Sequence, residues 1–196
     1  LEEIGMSFWN LPNSLTVARV GMVPIVVVLM YFEGVLPARI CATLFVIAAI
    51  TDGIDGWLAR KYGVTSVMGA FLDPLADKLM VMSAMIMLIS LGRVAPWIVV
   101  VLLSRDLAIT GLRGVASAQG VLIAASKWGK WKTGYQMTAL SFLLFHYQTL
   151  WFDAHVVGTY LILIAMVISL YSGYDYLKAF VATLKEGPAP EAPLVG

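Results

Sequence analysis

Long apolar runs alternate with short polar breaks along the chain. Segmentation by hydropathy predicts six helices, Ser14–Phe32, Pro37–Lys61, Val67–Leu91, Pro96–Ala118, Trp131–Leu150 and His155–Leu184. Each is near the ~20 residues a helix needs to cross a hydrocarbon core of about 30 Å, where only closed backbone hydrogen bonding is tolerated. The expected domain is therefore all-α, residues 14–184, preceded by a segment 1–13 in which Phe8 and Trp9 lie before Pro12. Leu1–Gly5 stand ahead of the first methionine, Met6, and are expected to be a cloning remnant. Residues 185–196, rich in Pro and Ala, are expected to be a disordered tail. No internal repeat and no domain boundary are evident.

Composition agrees with the pattern. The 196 residues are 60% hydrophobic and 13% charged, with mean hydropathy +0.87, whereas soluble domains run at about 45 to 50% apolar and about 25% charged. That excludes a soluble globule. The formal net charge of +1 leaves no nucleic-acid footprint, and the single cysteine, Cys41, can form neither an internal disulfide nor a cysteine metal site. The first apolar stretch lacks a basic leader and a small-residue cleavage site, so it reads as a retained span rather than a signal peptide. The six tryptophans, Trp9, Trp57, Trp97, Trp128, Trp131 and Trp151, fall near the expected helix ends, as interfacial anchors do. With the N-terminus cytoplasmic, Arg60, Lys61, Lys127, Lys130, Lys132 and Lys185 lie inside against Arg39 and Arg93 outside, the asymmetry that orients membrane proteins.

The charges within the helices carry the functional information. Arg19, Asp52, Asp55, Arg60, Asp73, Asp77, Lys78, Arg105, Asp106, Arg113 and Asp175 lie inside or at the mouths of expected spans, where a central charge costs roughly 2.5 to 3.5 kcal/mol. With this orientation they gather in the cytoplasmic half. The expected architecture is six transmembrane helices enclosing a polar cavity open to the cytoplasm.

Asp52 and Asp55 are three residues apart and Asp73 and Asp77 four apart, so each pair shares a helix face. The short connection Lys61–Ser66 makes the two helices antiparallel neighbours and brings the four carboxylates together. Such a cluster must take up protons, pair with Arg60, Lys78 or Arg105, or bind cations. All-oxygen ligation without Cys or His suits Mg²⁺ or Mn²⁺ rather than zinc. A cation transporter is the competing reading, although it would need carboxylates spaced along a path rather than clustered at one depth. The methionines of the third helix, Met80, Met82, Met85 and Met87, read as packing or lipid-facing residues.

The string Asp52-x-x-Asp55-Gly56-x-x-Ala59-Arg60-x8-Gly69-x3-Asp73-x3-Asp77 matches all eight positions of the CDP-alcohol phosphotransferase signature, and the chain resembles that family over roughly residues 8–184. The resemblance implies a six-helix membrane enzyme, usually a homodimer, that moves a substituted phosphate from a CDP-linked donor to an alcohol and releases CMP. It implies two divalent cations held by Asp52, Asp55, Asp73 and Asp77, with Asp77 also the general base or a ligand alone. Gly56, Ala59, Arg60 and Gly69 would lie on the CDP donor. The entry Asn10–Arg19, with Asn13, Thr16 and Arg19 spaced by three, is similar to the donor-side start of one branch, the bacterial phosphatidylglycerophosphate synthases.

That branch's acceptor region resembles Arg105-Asp106, Gly111-Leu112-Arg113 and Gly129-Lys130-Trp131-Lys132-Thr133-x-x-Gln136, with a shorter acid at Asp106 where the branch carries Glu. The expected reaction transfers the phosphatidyl group from CDP-diacylglycerol to sn-glycerol 3-phosphate, giving phosphatidylglycerophosphate and CMP, in a bacterial inner membrane among membrane lipids. Arg113, Lys130 and Lys132, backed by Arg105, Thr133 and Gln136, are the candidates for the acceptor phosphate. Binding of anionic headgroups is the other reading of these lysines. The same metal signature serves synthases that accept inositol phosphate or serine.

Overall fold

The structure, a computed structural model, describes residues 11–62, 67–118, 127–149 and 152–186, with the side chains of 11–15, 52, 54–62, 67–74, 149 and 184–186 outside the described set. Among these residues six helices occur: α1 Leu11–Met30, α2 Val35–Tyr62, α3 Val67–Ser90, α4 Pro96–Ala118, α5 Lys127–Phe145 and α6 Ala154–Glu186. A minimal antiparallel pair, β1 Gln148–Thr149 and β2 Phe152–Asp153, joins α5 to α6.

Local chemistry accounts for the ends. Pro12, Pro37 and Pro96 stand in the first turns of α1, α2 and α4, where a missing N–H costs nothing. Gly92, at φ +67°, closes α3: its N–H donates to the Ile89 carbonyl (2.9 Å) and the Arg93 N–H to the Leu88 carbonyl (2.9 Å). Asp153 caps α6, its Oδ1 accepting from the backbone N–H groups of His155 (2.9 Å) and Val156 (3.2 Å).

The fifth element corrects the expectation. It begins at Lys127 rather than Trp131 and stops at Phe145 rather than Leu150. There His146 takes φ +58°, a left-handed conformation that halts the helix without the glycine that would announce it. Arg93 then reaches across from the α3–α4 connection, its Nη1 donating to the last-turn carbonyls of Leu143 (3.4 Å) and Leu144 (3.2 Å). The polar stretch that follows turns back as the strand pair, an addition to the all-helical expectation.

α5 and α6 pack along one another, α1 lies on α2 and α3, α2 on α5, and α4 on α6. The α5–α6 approach depends on Gly158, where a Cβ would stand 2.7 Å from Leu143 Cγ. Val26, Phe45, Met85, Leu88, Leu102 and Leu143 build the main core. A smaller cluster of Ile109, Ala116, Tyr176 and Phe180 joins α4 to α6. Met80, Met85 and Met87 are core residues.

Polarity runs against that of a soluble protein. Arg19 is 2% exposed while Val167 is 62% exposed. Thr16, Lys132, Gln136, Ser169 and Ser172 are also buried, while Ile25, Val28, Val100 and Leu170 face outward. An apolar exterior of this extent fits a lipid surrounding. Among the described residues one segment, Ala154–Thr183, is long and apolar enough to cross a membrane, and Thr16–Met30 and Val35–Thr51 are shorter apolar helices.

Candidate active site

Four helices converge on a cavity of about 560 Å³. α3 brings Asp77 and Lys78; α4 brings Arg105, Asp106, Thr110 and Arg113; α5 brings Lys130, Lys132, Thr133 and Gln136; α6 brings Ser172 and Tyr176. The placement follows from register: Asp106, Thr110 and Arg113 recur at helical spacing on one face of α4. Lys78, Arg105, Arg113, Lys130 and Lys132 against Asp77 and Asp106 make five positive and two negative formal charges, an excess of three positive charges among the described lining. That balance suits an anionic ligand.

The cations fall into two groups. Arg105 is anchored to α6, its Nε donating to the Ser169 carbonyl (3.0 Å), its Nη2 to Ser172 Oγ (2.9 Å), and its Nη1 to Asp106 Oδ1 (3.2 Å). Gly173 makes the notch for this side chain, since a Cβ there would sit 3.2 Å from Arg105 Nε. Lys132 donates to both Asp106 oxygens, at 2.7 and 2.5 Å, leaving one of its three N–H groups for other partners. Lys78 donates to Thr110 Oγ1 (2.8 Å), which in turn donates to the Asp106 carbonyl (2.7 Å).

Arg113 and Lys130 form the second group. Arg113 lies over the Tyr176 ring at 5.9 Å, Lys130 is exposed at the cavity, and neither has an ion pair among the described residues. Thr133 turns its hydroxyl to the Gly129 carbonyl (3.1 Å). Gln136, 2% exposed, directs Nε2 at Met85 Sδ (3.9 Å) and leaves Oε1 buried without a hydrogen-bond partner among the described residues.

The structure thus brings Asp77, Arg105, Arg113, Lys130, Lys132, Thr133 and Gln136 to one cavity. Thr16 and Arg19 are buried on α1 and are not part of its lining. Asp52, Asp55, Gly56, Ala59 and Arg60 lie on α2, Gly69 and Asp73 on α3, and Asn13 on α1, with side chains outside the described residues. Sequence reasoning missed Ser172, Gly173 and Tyr176. Their signal is faint, a hydroxyl and a phenol one turn apart beside Asp175 on an otherwise apolar helix.

Among the described residues no group of three or more Asp, Glu, His or Cys side chains gathers that could hold a metal ion. α2 and α3 touch, and of the four carboxylates they carry, the one described, Asp77, lines the cavity. Carboxylate oxygens are what Mg²⁺ and Mn²⁺ prefer.

Residues 9–171 match the model of the CDP-alcohol phosphatidyltransferase family, and the chain belongs to that family. It is 36% identical over 189 residues to the CDP-diacylglycerol–glycerol-3-phosphate 3-phosphatidyltransferase of Bacillus subtilis, covering 90% of this chain and 98% of that one. It is 37% identical over 173 residues to the protein of the same name from Rickettsia typhi, covering 87% of this chain and 96% of the relative. A cardiolipin synthase (CMP-forming) from rice is 40% identical over 149 residues, 69% of this chain and 45% of its own length.

Proposed function

We propose that the chain transfers the phosphatidyl group of CDP-diacylglycerol to sn-glycerol 3-phosphate, producing phosphatidylglycerophosphate and CMP. The observation that carries this reading is the meeting of Asp77 with Arg113, Lys130 and Lys132 in one cavity. A reacting hydroxyl beside a carboxylate and a phosphate several ångströms away beside fixed cations are what this acceptor requires. The relatives' names and their near full-length coverage point the same way.

In this reading Arg113 grips the acceptor phosphate through its planar fork, Lys130 adds a point charge, and Lys132 offers its remaining N–H. Asp106, itself bonded by Arg105, holds Lys132 in place, with Thr133 and Gln136 on the same helix. Asp77 receives the proton of the attacking primary hydroxyl, or serves as a metal ligand alone. A carboxylate of ordinary pKa near 4 is a weak base for an alcohol, so it works only late along the proton transfer or with a neighbouring cation. Asp52, Asp55, Asp73 and Asp77 would hold two divalent cations, Mg²⁺ or Mn²⁺, which supply charge neutralisation on the pyrophosphate. Asn13, Thr16, Arg19, Gly56, Ala59, Arg60 and Gly69 would bind the CDP donor.

The remaining features extend the same reading. The six helices would cross a bacterial inner membrane with the cavity open to the cytoplasm, as a homodimer among membrane lipids. CMP release by purified protein with CDP-diacylglycerol and Mg²⁺ tests the assignment across an acceptor panel of sn-glycerol 3-phosphate, inositol phosphate, serine and phosphatidylglycerol. Glycerol 3-phosphate should be used at least tenfold better than the others, and Arg113→Ala should raise its KM about ten- to a hundredfold. Preference for another acceptor, or an unchanged KM in Arg113→Ala, refutes it.

A further inference from the structure

Two neutral polar side chains that line the cavity each carry a buried atom with no partner among the described residues. Gln136, 2% exposed, leaves Oε1 unpaired, and Tyr176, 5% exposed, leaves its hydroxyl unpaired. Each such group costs stability unless something satisfies it. Both residues line the same cavity as Arg113 and Lys130, and Tyr176 lies directly under the Arg113 guanidinium. Neither group is suited to the phosphate itself, which the surrounding cations serve better. An amide oxygen that accepts and a phenol that donates complement an alcohol, which does both.

We propose that Gln136 and Tyr176 are specificity-determining residues that bind the non-reacting secondary hydroxyl of the acceptor; this rests on glycerol 3-phosphate being the acceptor. Tyr176 sets the distance between the two recognitions, its ring fixing the phosphate-binding Arg113 and its hydroxyl reading the carbon between phosphate and attacking oxygen. An acceptor lacking that hydroxyl leaves both protein groups buried and unpaired, which is how a hydrogen-bonding site rejects a close analogue.

The test compares sn-glycerol 3-phosphate with 3-hydroxypropyl phosphate, which keeps the phosphate, chain length and primary hydroxyl and lacks the secondary one. The wild-type protein should favour glycerol 3-phosphate by roughly a hundredfold in kcat/KM. Tyr176→Phe should lower kcat/KM for glycerol 3-phosphate about tenfold and leave that for the analogue nearly unchanged, and Gln136→Met should lower the ratio of the two acceptors' kcat/KM about tenfold. A purely structural role would move both acceptors alike. Tyr176→Phe keeps the ring on Arg113 and in its apolar cluster, and without acceptor it should melt no lower than wild type, because the hydroxyl it removes is unpaired. Equal use of the two acceptors by the wild type, or an unchanged ratio in both variants, overturns the inference while leaving the reaction assignment standing. Failure of the wild type to use glycerol 3-phosphate overturns both.

Discussion

Neutralising Asp106 should destabilise the protein more than deleting its ion pair altogether. Lys132 is held at 2.7 and 2.5 Å from the two carboxylate oxygens, and its side chain is 7% exposed against 25% for Asp106. At such separations and an effective dielectric near 20 the attraction is about 6 kcal/mol, and removing both groups from water offsets most of it. Asp106→Asn forfeits the attraction and keeps the burial of the lysine, which costs about 3 to 5 kcal/mol. In Lys132→Met/Asp106→Asn the buried lysine charge is gone while Arg105 keeps its bonds to Ser169 and Ser172, and the loss should fall to about 1 kcal/mol. For a domain of about this length each kcal/mol moves the melting midpoint by roughly 2 to 4 °C, so the single variant should melt about 10 °C lower and the double variant within about 4 °C of wild type. Thermal unfolding of the detergent-solubilised protein, followed by tryptophan fluorescence, reads the difference. If the double variant loses the sum of the two singles, the pair is not coupled and the reasoning fails.

Asp73→Asn should abolish CMP release while the protein stays folded in detergent, and chelation should do the same to wild type; near-normal turnover in chelator ends the divalent-cation reading. Gly158→Ala should lower the melting midpoint by several degrees, the overlap with Leu143 costing about 1 to 3 kcal/mol; an unchanged midpoint would mean that α5 and α6 do not meet there. The His146 pKa is lowered by burial first and then by Arg93 and His155, against a smaller opposing pull from Asp153. The unfolded chain therefore binds the proton before the folded one, and this contribution to stability is lost as pH falls below about 6.5. His146→Asn, which tolerates the left-handed backbone, should reduce the drop in melting midpoint between pH 7.5 and 5.5, and an undiminished drop would assign it to other groups.

Much of this was legible in the chain because charge inside apolar helices is expensive. Asp77, Arg105, Arg113, Lys130 and Lys132 stood out against their surroundings for that reason, and they share one cavity. The helix ends marked by Pro96 and Gly92 were readable from side-chain and backbone chemistry. His146 was not, since a non-glycine residue at φ +58° carries no local mark. α6 was the larger gap. Ser172 and Tyr176 are ordinary residues in an apolar helix, and Gly173 matters only because Arg105 from α4 lies against it, a relation between segments far apart in sequence.

That dependence on α6 explains how so many cations can occupy one cavity. Isolated, Arg105 and Lys132 would repel an incoming Arg113 or Lys130 and each other. Asp106 accepts from both, and α6 supplies a carbonyl and a hydroxyl that absorb further Arg105 donors. The anchored pair is thereby partly compensated, one carboxylate against two cations, and contributes rigidity, while Arg113 and Lys130, without ion pairs among the described residues, would supply charge for the proposed anion. In the proposed reading the acceptor phosphate meets Arg113, which lies over the Tyr176 ring, Lys130, and the remaining N–H of Lys132, which Asp106 pins to α4. The Tyr176 ring and Asp106 would thus limit the ordering left for that phosphate to impose on Arg113 and Lys132, the prior positioning on which a transfer reaction depends.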